Sequence, residues 1–148
     1  MNPWDIRAAL LAKHAQHVVL IHFPIALFLV GVAFDVAASL TRRKDLAMAA
    51  YYNLALAAFS ALPAAATGVL AWRWELEGRR LKGILLFHLL AGSASLLLML
   101  VVWRVHIKTV RQPDQTLPRS RWPLEALAVI LVTLTGHLGG FLSGVNHP

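Results

Sequence analysis

The chain contains no cysteine. That absence excludes disulfides, thiolate-held zinc, iron–sulfur clusters and covalent C-x-x-C-H haem attachment, while leaving the compartment open. Charge is scarce as well. Only 14% of the 148 residues are charged, against roughly 25% in ordinary soluble domains. Acidic residues are the rarer kind, seven against fourteen basic ones. No glycine-rich loop follows a strand pattern, and no serine lies in a nucleophile elbow with a suitably spaced carboxylate. Nucleotide binding and triad hydrolysis therefore have no support. The opening Met1-Asn-Pro-Trp-Asp5 lacks the basic n-region and small-residue cleavage site of a signal peptide, so the first apolar segment is expected to stay in the mature protein.

What the chain has in abundance is apolar length. Hydrophobic residues make up 58% of it, and the mean hydropathy is +0.62. Four stretches are nearly free of charge: 18–40, 46–71, 83–103 and 124–142. Each is close to the ~20 residues that span a hydrocarbon core as a helix. None carries the polar face a soluble amphipathic helix needs, and none alternates as a barrel strand would. The expected fold is all-α, an integral membrane four-helix bundle formed by residues 18–148. Residues 1–17 precede it as an N-terminal arm or a short interfacial helix. In that segment Trp4, Ile6, Leu10 and Leu11 could face lipid while Asp5, Arg7 and Lys13 face water. A plain helical extension of the first span is the alternative.

The formal net charge is +7. Because the basic residues gather in the loops, the charge reads as membrane topology and attraction to anionic headgroups, and nucleic acid is not expected as a partner. Four spans put both termini and the loop 73–82 on one side, side A. Side B holds the turn 41–45 and the loop 104–121. Side B carries eight Lys and Arg against six on side A. Positive-inside logic makes side B cytoplasmic, with both termini periplasmic or extracellular at a bacterial inner (plasma) membrane.

Within the spans, Pro24 and Pro63 predict irregular or bent backbone. Ala64-x-x-x-Gly68 and Gly136-x-x-x-Gly140 predict close helix contacts. Asp35 is read as the one clear intramembrane carboxylate, capping or pairing near side B with Arg42 or Arg43. His106 and His147 are read as solvated. The remaining intramembrane histidines carry the functional expectation. His22, His88 and His137 all fall roughly 6–8 Å below the side-A surface at about 1.5 Å per residue. A polar ring in hydrocarbon needs a hydrogen bond or a ligand. Arg79 and Arg80, in the side-A loop, could meet the propionates of a haem.

Through His22-Phe-Pro24, His88 and Gly136-His-x-Gly-Gly140, the chain resembles a bacterial integral-membrane family called domain of unknown function 2231. The resemblance covers roughly residues 14–145. It implies four spans in this motif order and favours His22, His88 and His137 as site residues. It implies no reaction.

Three functional classes follow. The first is a small b-type haem protein in electron transfer, with two of the three histidines as axial ligands and a quinone, a cytochrome or another membrane subunit as partner. The second is a non-haem copper, iron or zinc site built from the same three imidazoles. The third is a cofactor-free structural or accessory membrane subunit, for which homo-oligomerisation through the small-residue faces is one route.

Overall fold

A computed structural model describes residues 13–74, 76–78, 80–112 and 116–144, with side chains from Gln16 onward. Four α-helices follow one another: α1 (Lys13–Thr41), α2 (Lys44–Trp74), α3 (Gly83–Arg111) and α4 (Arg121–Leu142). No strand occurs among the described residues. The reason is the solvent. Hydrocarbon offers backbone amides no partners, so each apolar segment must close its own hydrogen bonds, and a helix does this within one segment. With 22 to 31 residues each, the helices are roughly 33–46 Å long at 1.5 Å per residue. All four are long and apolar enough to cross a membrane.

Neighbours in sequence pack side by side, α1 on α2, α2 on α3 and α3 on α4, while α1 and α4 touch more sparsely. The core is narrow. One cluster joins Phe28 of α1, Leu54, Ala57, Ala58 and Ala61 of α2, Met99 and Val102 of α3, and Ala128 and Val132 of α4. The small side chains of α2 let its neighbours approach closely. The outer faces carry exposed Val19, Phe23, Leu56, Leu97 and Ile130, as expected for a surface covered by lipid.

The helices overrun the charge-free stretches. α3 continues past Trp103 to Arg111, where a polar loop is expected from sequence. Residues 104–111 keep a helical division of labour. Arg104, Lys108 and Arg111 are exposed while His106 is buried in phase with Val102 and Met99. α4 begins at Arg121, with Pro123 in its first turn where no amide partner is needed. Residues 13–17 run into α1 without a break. The rest of the expected N-terminal interfacial helix lies outside the described residues.

Two residues join α1 to α2. Arg42 takes a left-handed φ of 58°, and Arg43 donates from Nε to Asp45 at 3.1 Å and from Nη2 to the same carboxylate. Those hydrogen bonds hold the Arg43 guanidinium pKa above its ordinary value. At the opposite end, Ala64-x-x-x-Gly68 does make a close contact, but with a ring. The His17 imidazole donates from Nδ1–H to the Ala64 carbonyl (3.1 Å), with Thr67 Oγ1 at 3.2 Å from the same nitrogen. A Cβ on Gly68 would come within 2.9 Å of His17 Cε1.

Candidate functional site

The buried stripe of each helix repeats every three or four residues. On α1 it reads Pro24, Phe28, Gly31, Asp35, Ala38. On α3 it reads Ala91, Ser95, Met99, Val102, His106, and on α4 Arg121, Glu125, Ala128, Val132. These spacings keep one face of a helix turned to its neighbours. The stripes are apolar or small in the middle of the bundle and turn ionisable at the side-B end. Asp35, His106, Arg121 and Glu125 thus occupy core positions, with exposures of 2%, 0%, 8% and 1%.

The cluster contains two pairs. Arg121 donates from Nε to Asp35 Oδ2 at 2.8 Å and from Nη2 to Ser39 Oγ at 2.7 Å. Its guanidinium lies 4.1 Å from the Trp122 ring centre, in a cation–π contact. The second pair is His106 Nε2 and Glu125 Oε1, 2.8 Å apart. A neutral ring that donates Nε2–H to Glu125 keeps a lone pair on Nδ1. Among the described residues neither His106 Nδ1 nor Glu125 Oε2 has a hydrogen-bond partner, and both are buried. A buried polar atom left unsatisfied costs about 1–3 kcal/mol. One ligand atom from each of Asp35, His106 and Glu125 can be chosen so that all lie within 4.8 Å of one another. With His106 neutral, two carboxylates and one guanidinium leave a net charge of −1. The arrangement can therefore take up a cation.

This cluster corrects three readings made from sequence. His106 is buried, not solvated. Asp35 pairs with Arg121 of α4, not with Arg42 or Arg43. Glu125 is a second intramembrane carboxylate. The causes differ: His106 lies past the charged Arg104 taken as the end of a span and so is assigned to water, while the partners of Asp35 and Glu125 depend on which helix faces meet. The i, i+4 spacing of Arg121 and Glu125, in phase with Ala128 and Val132, is the signal that could have found them.

The histidines singled out from sequence lie toward the other end. His22 is exposed and donates from Nδ1–H to the Val18 carbonyl of its own helix at 2.6 Å. His88 is half-buried and crosses to α4, with Nδ1 3.1 Å from the Thr135 carbonyl. Its Cε1 lies 3.2 Å from where a Gly139 Cβ would stand. His137 is exposed, its ring edge-on to Phe141 at 5.0 Å between centres. His88 thus reaches the stretch of α4 that flanks His137. The compact His/Asp/Glu group among the described residues is the side-B one. Arg80 is exposed in the α2–α3 loop, and Arg79 lies outside the described residues.

A family model described as "Predicted membrane protein (DUF2231)" matches residues 13–146. No curated protein and no solved structure matches the chain.

Proposed function

The chain belongs to the DUF2231 family of predicted membrane proteins, and from that premise we propose that it is a metal-binding multi-pass membrane protein whose Asp35, His106 and Glu125 hold one divalent transition-metal ion. The observation that carries this reading is the convergence of three buried ligand atoms from three helices within 4.8 Å, two of the residues having an atom with no other partner. One imidazole and two carboxylates suit iron or zinc better than copper(I), and three protein ligands leave a coordination position open. Arg121 tempers the charge of the site and keeps Asp35 oriented.

Cobalt(II) is a direct probe, because its visible absorption reports coordination. Chelator-stripped protein in detergent should bind one equivalent of cobalt(II), and Glu125→Gln and His106→Gln should each weaken binding at least about tenfold. Binding should fall as the pH is lowered, because the ligands must be deprotonated. His137→Ala should bind as the parent does. Equal cobalt spectra in the parent and in Glu125→Gln would end this reading.

A second reading, a b-type haem held by His88, rests on a different observation. His88 turns Nδ1 to the Thr135 carbonyl, the arrangement that fixes the tautomer of an axial imidazole. Its sequence neighbour Phe87 lines an apolar cavity of about 470 Å³ between α3 and α4, with Leu90, Leu134 and Leu138 among others. His137 or His22 would supply the second ligand, Arg79 and Arg80 would face the propionates, and a quinone, a cytochrome or another membrane subunit would be the redox partner. Protein purified from haem-replete cells should then show a Soret band that His88→Ala abolishes and Glu125→Gln leaves intact. A parent without that band has no haem at His88. Silence in both the cobalt and the Soret tests would leave a cofactor-free accessory subunit.

For orientation we propose side B as cytoplasmic, at a bacterial inner membrane, since Arg42, Arg43, Lys44, Arg104, Lys108, Arg111 and Arg119 ring that end. Single cysteines at Lys82 and Gln112, placed in a cysteine-free chain, should be labelled by an impermeant maleimide from outside intact cells at position 82 only. Labelling at 112 alone would invert the topology.

A further inference from the structure

Above the ionisable cluster, where α1 ends and α2 and α4 begin, a second cavity opens toward side B. Its volume is about 720 Å³, within the usual range of small-molecule sites. Five cations from two separate stretches of chain line it: Arg42, Arg43 and Lys44 at the α1–α2 turn, and Arg119 and Arg121 at the start of α4. Asp35 forms part of the wall and bonds Arg121, Asp45 bonds Arg43, and Glu125 stands within 4.8 Å of Asp35. Among the described residues the five cations outnumber these three carboxylates, and the concave space is net positive.

The cavity also offers hydroxyl groups. Ser39 accepts from Arg121 Nη2, which leaves its own O–H to donate. Thr109 and Thr116 contribute to the wall. Guanidinium forks and hydroxyl donors around one space are the donor set that phosphate oxygens accept from. A ring of solvated basic residues would satisfy the topology rule without a cavity and without a guanidinium held over a tryptophan. We infer that this vestibule binds a phosphate group, the headgroup of an anionic phospholipid or a free phosphate compound. The inference does not depend on a metal at Asp35, His106 and Glu125.

The test uses the whole chain in nanodiscs and in detergent. Native mass spectrometry and thermal melting are read with phosphatidylglycerol, with phosphatidylcholine and with inorganic phosphate. The expected result is retention of phosphatidylglycerol over phosphatidylcholine, or a melting shift with inorganic phosphate. The first identifies a lipid headgroup and the second a free phosphate compound. Arg42→Gln combined with Arg119→Gln should weaken whichever effect is seen by about fivefold for each cation removed. Arg80→Gln with Lys82→Gln removes the same charge at the other end and should leave it unchanged. Arg119→Gln alone, at an exposed loop position, provides the same test if the double variant folds poorly. No preference for phosphatidylglycerol together with no phosphate shift would overturn the proposal. Equal losses from the two pairs of substitutions would do so as well, since they would show net charge and not a site.

Discussion

Replacing Arg121 with methionine destabilises the bundle by about 3–5 kcal/mol, the range for removing one partner of a buried ion pair. The change deprives Asp35, which is 2% exposed, of its hydrogen-bonded guanidinium. It also releases Ser39 and two loop carbonyls, Leu117 and Pro118, which the guanidinium reaches at 3.4 Å. Asp35→Asn alone is milder, because Arg121 keeps Ser39 and can turn toward the cavity. The informative variant is the double one. Arg121→Met with Asp35→Asn removes both charges, and buried pairs replaced by neutral groups of similar size are often close to neutral in stability. The double variant should therefore be more stable than Arg121→Met by at least about 2 kcal/mol, a coupling of the size expected for groups in one network. Reversible unfolding in mixed micelles measures all four corners of the cycle. Additive losses would mean that Arg121 and Asp35 do not depend on each other in the folded protein.

Four spans and their order were legible in the sequence because hydrocarbon imposes them: an apolar stretch of about twenty residues has few alternatives to a helix. What was hidden is rotation. Depth along a span follows from residue counts, so His22, His88 and His137 do lie toward one end. Which way each side chain points depends on the phase of each helix against its neighbours. His22 is turned outward and His137 is exposed, while His106, read as a loop residue, sits at the centre of the packing. The same limit applies to the small-residue motifs. Gly136-x-x-x-Gly140 stood out by pattern, yet a Cβ on Gly136 would meet only Ile25 Cδ1 at an ordinary 3.9 Å. The tighter approach is at Gly31, which belongs to no such motif.

Gly31 therefore supplies the second large effect. A Cβ there would stand 2.9 Å from Leu54 Cγ, 3.0 Å from Leu54 Cδ2 and 3.2 Å from the Leu54 backbone nitrogen. Leu54 is fully buried against Ala57 and Phe28, so its side chain has no free space to swing into, and the backbone atom yields only if α1 and α2 move apart. Overpacking of this kind costs typically about 1–3 kcal/mol. A Gly→Ala change within a helix also brings a gain of up to about 1 kcal/mol from backbone propensity. Gly31→Ala should thus be destabilising by about 1–2 kcal/mol net, and Gly31→Val, with two further methyl groups and lower propensity, by about 3 kcal/mol or more. Gly136→Ala should be neutral or slightly stabilising, since its added methyl group meets open packing. Pairing Gly31→Ala with Leu54→Ala should recover part of the clash while adding the cost of a lost leucine, so the combined loss should fall short of the sum of the two. Unfolding midpoints for these variants and for Leu54→Ala alone, five in all and in one detergent, decide the matter. If Gly31→Ala and Gly136→Ala behave alike, the α1–α2 contact at Leu54 is not what holds these two helices in register.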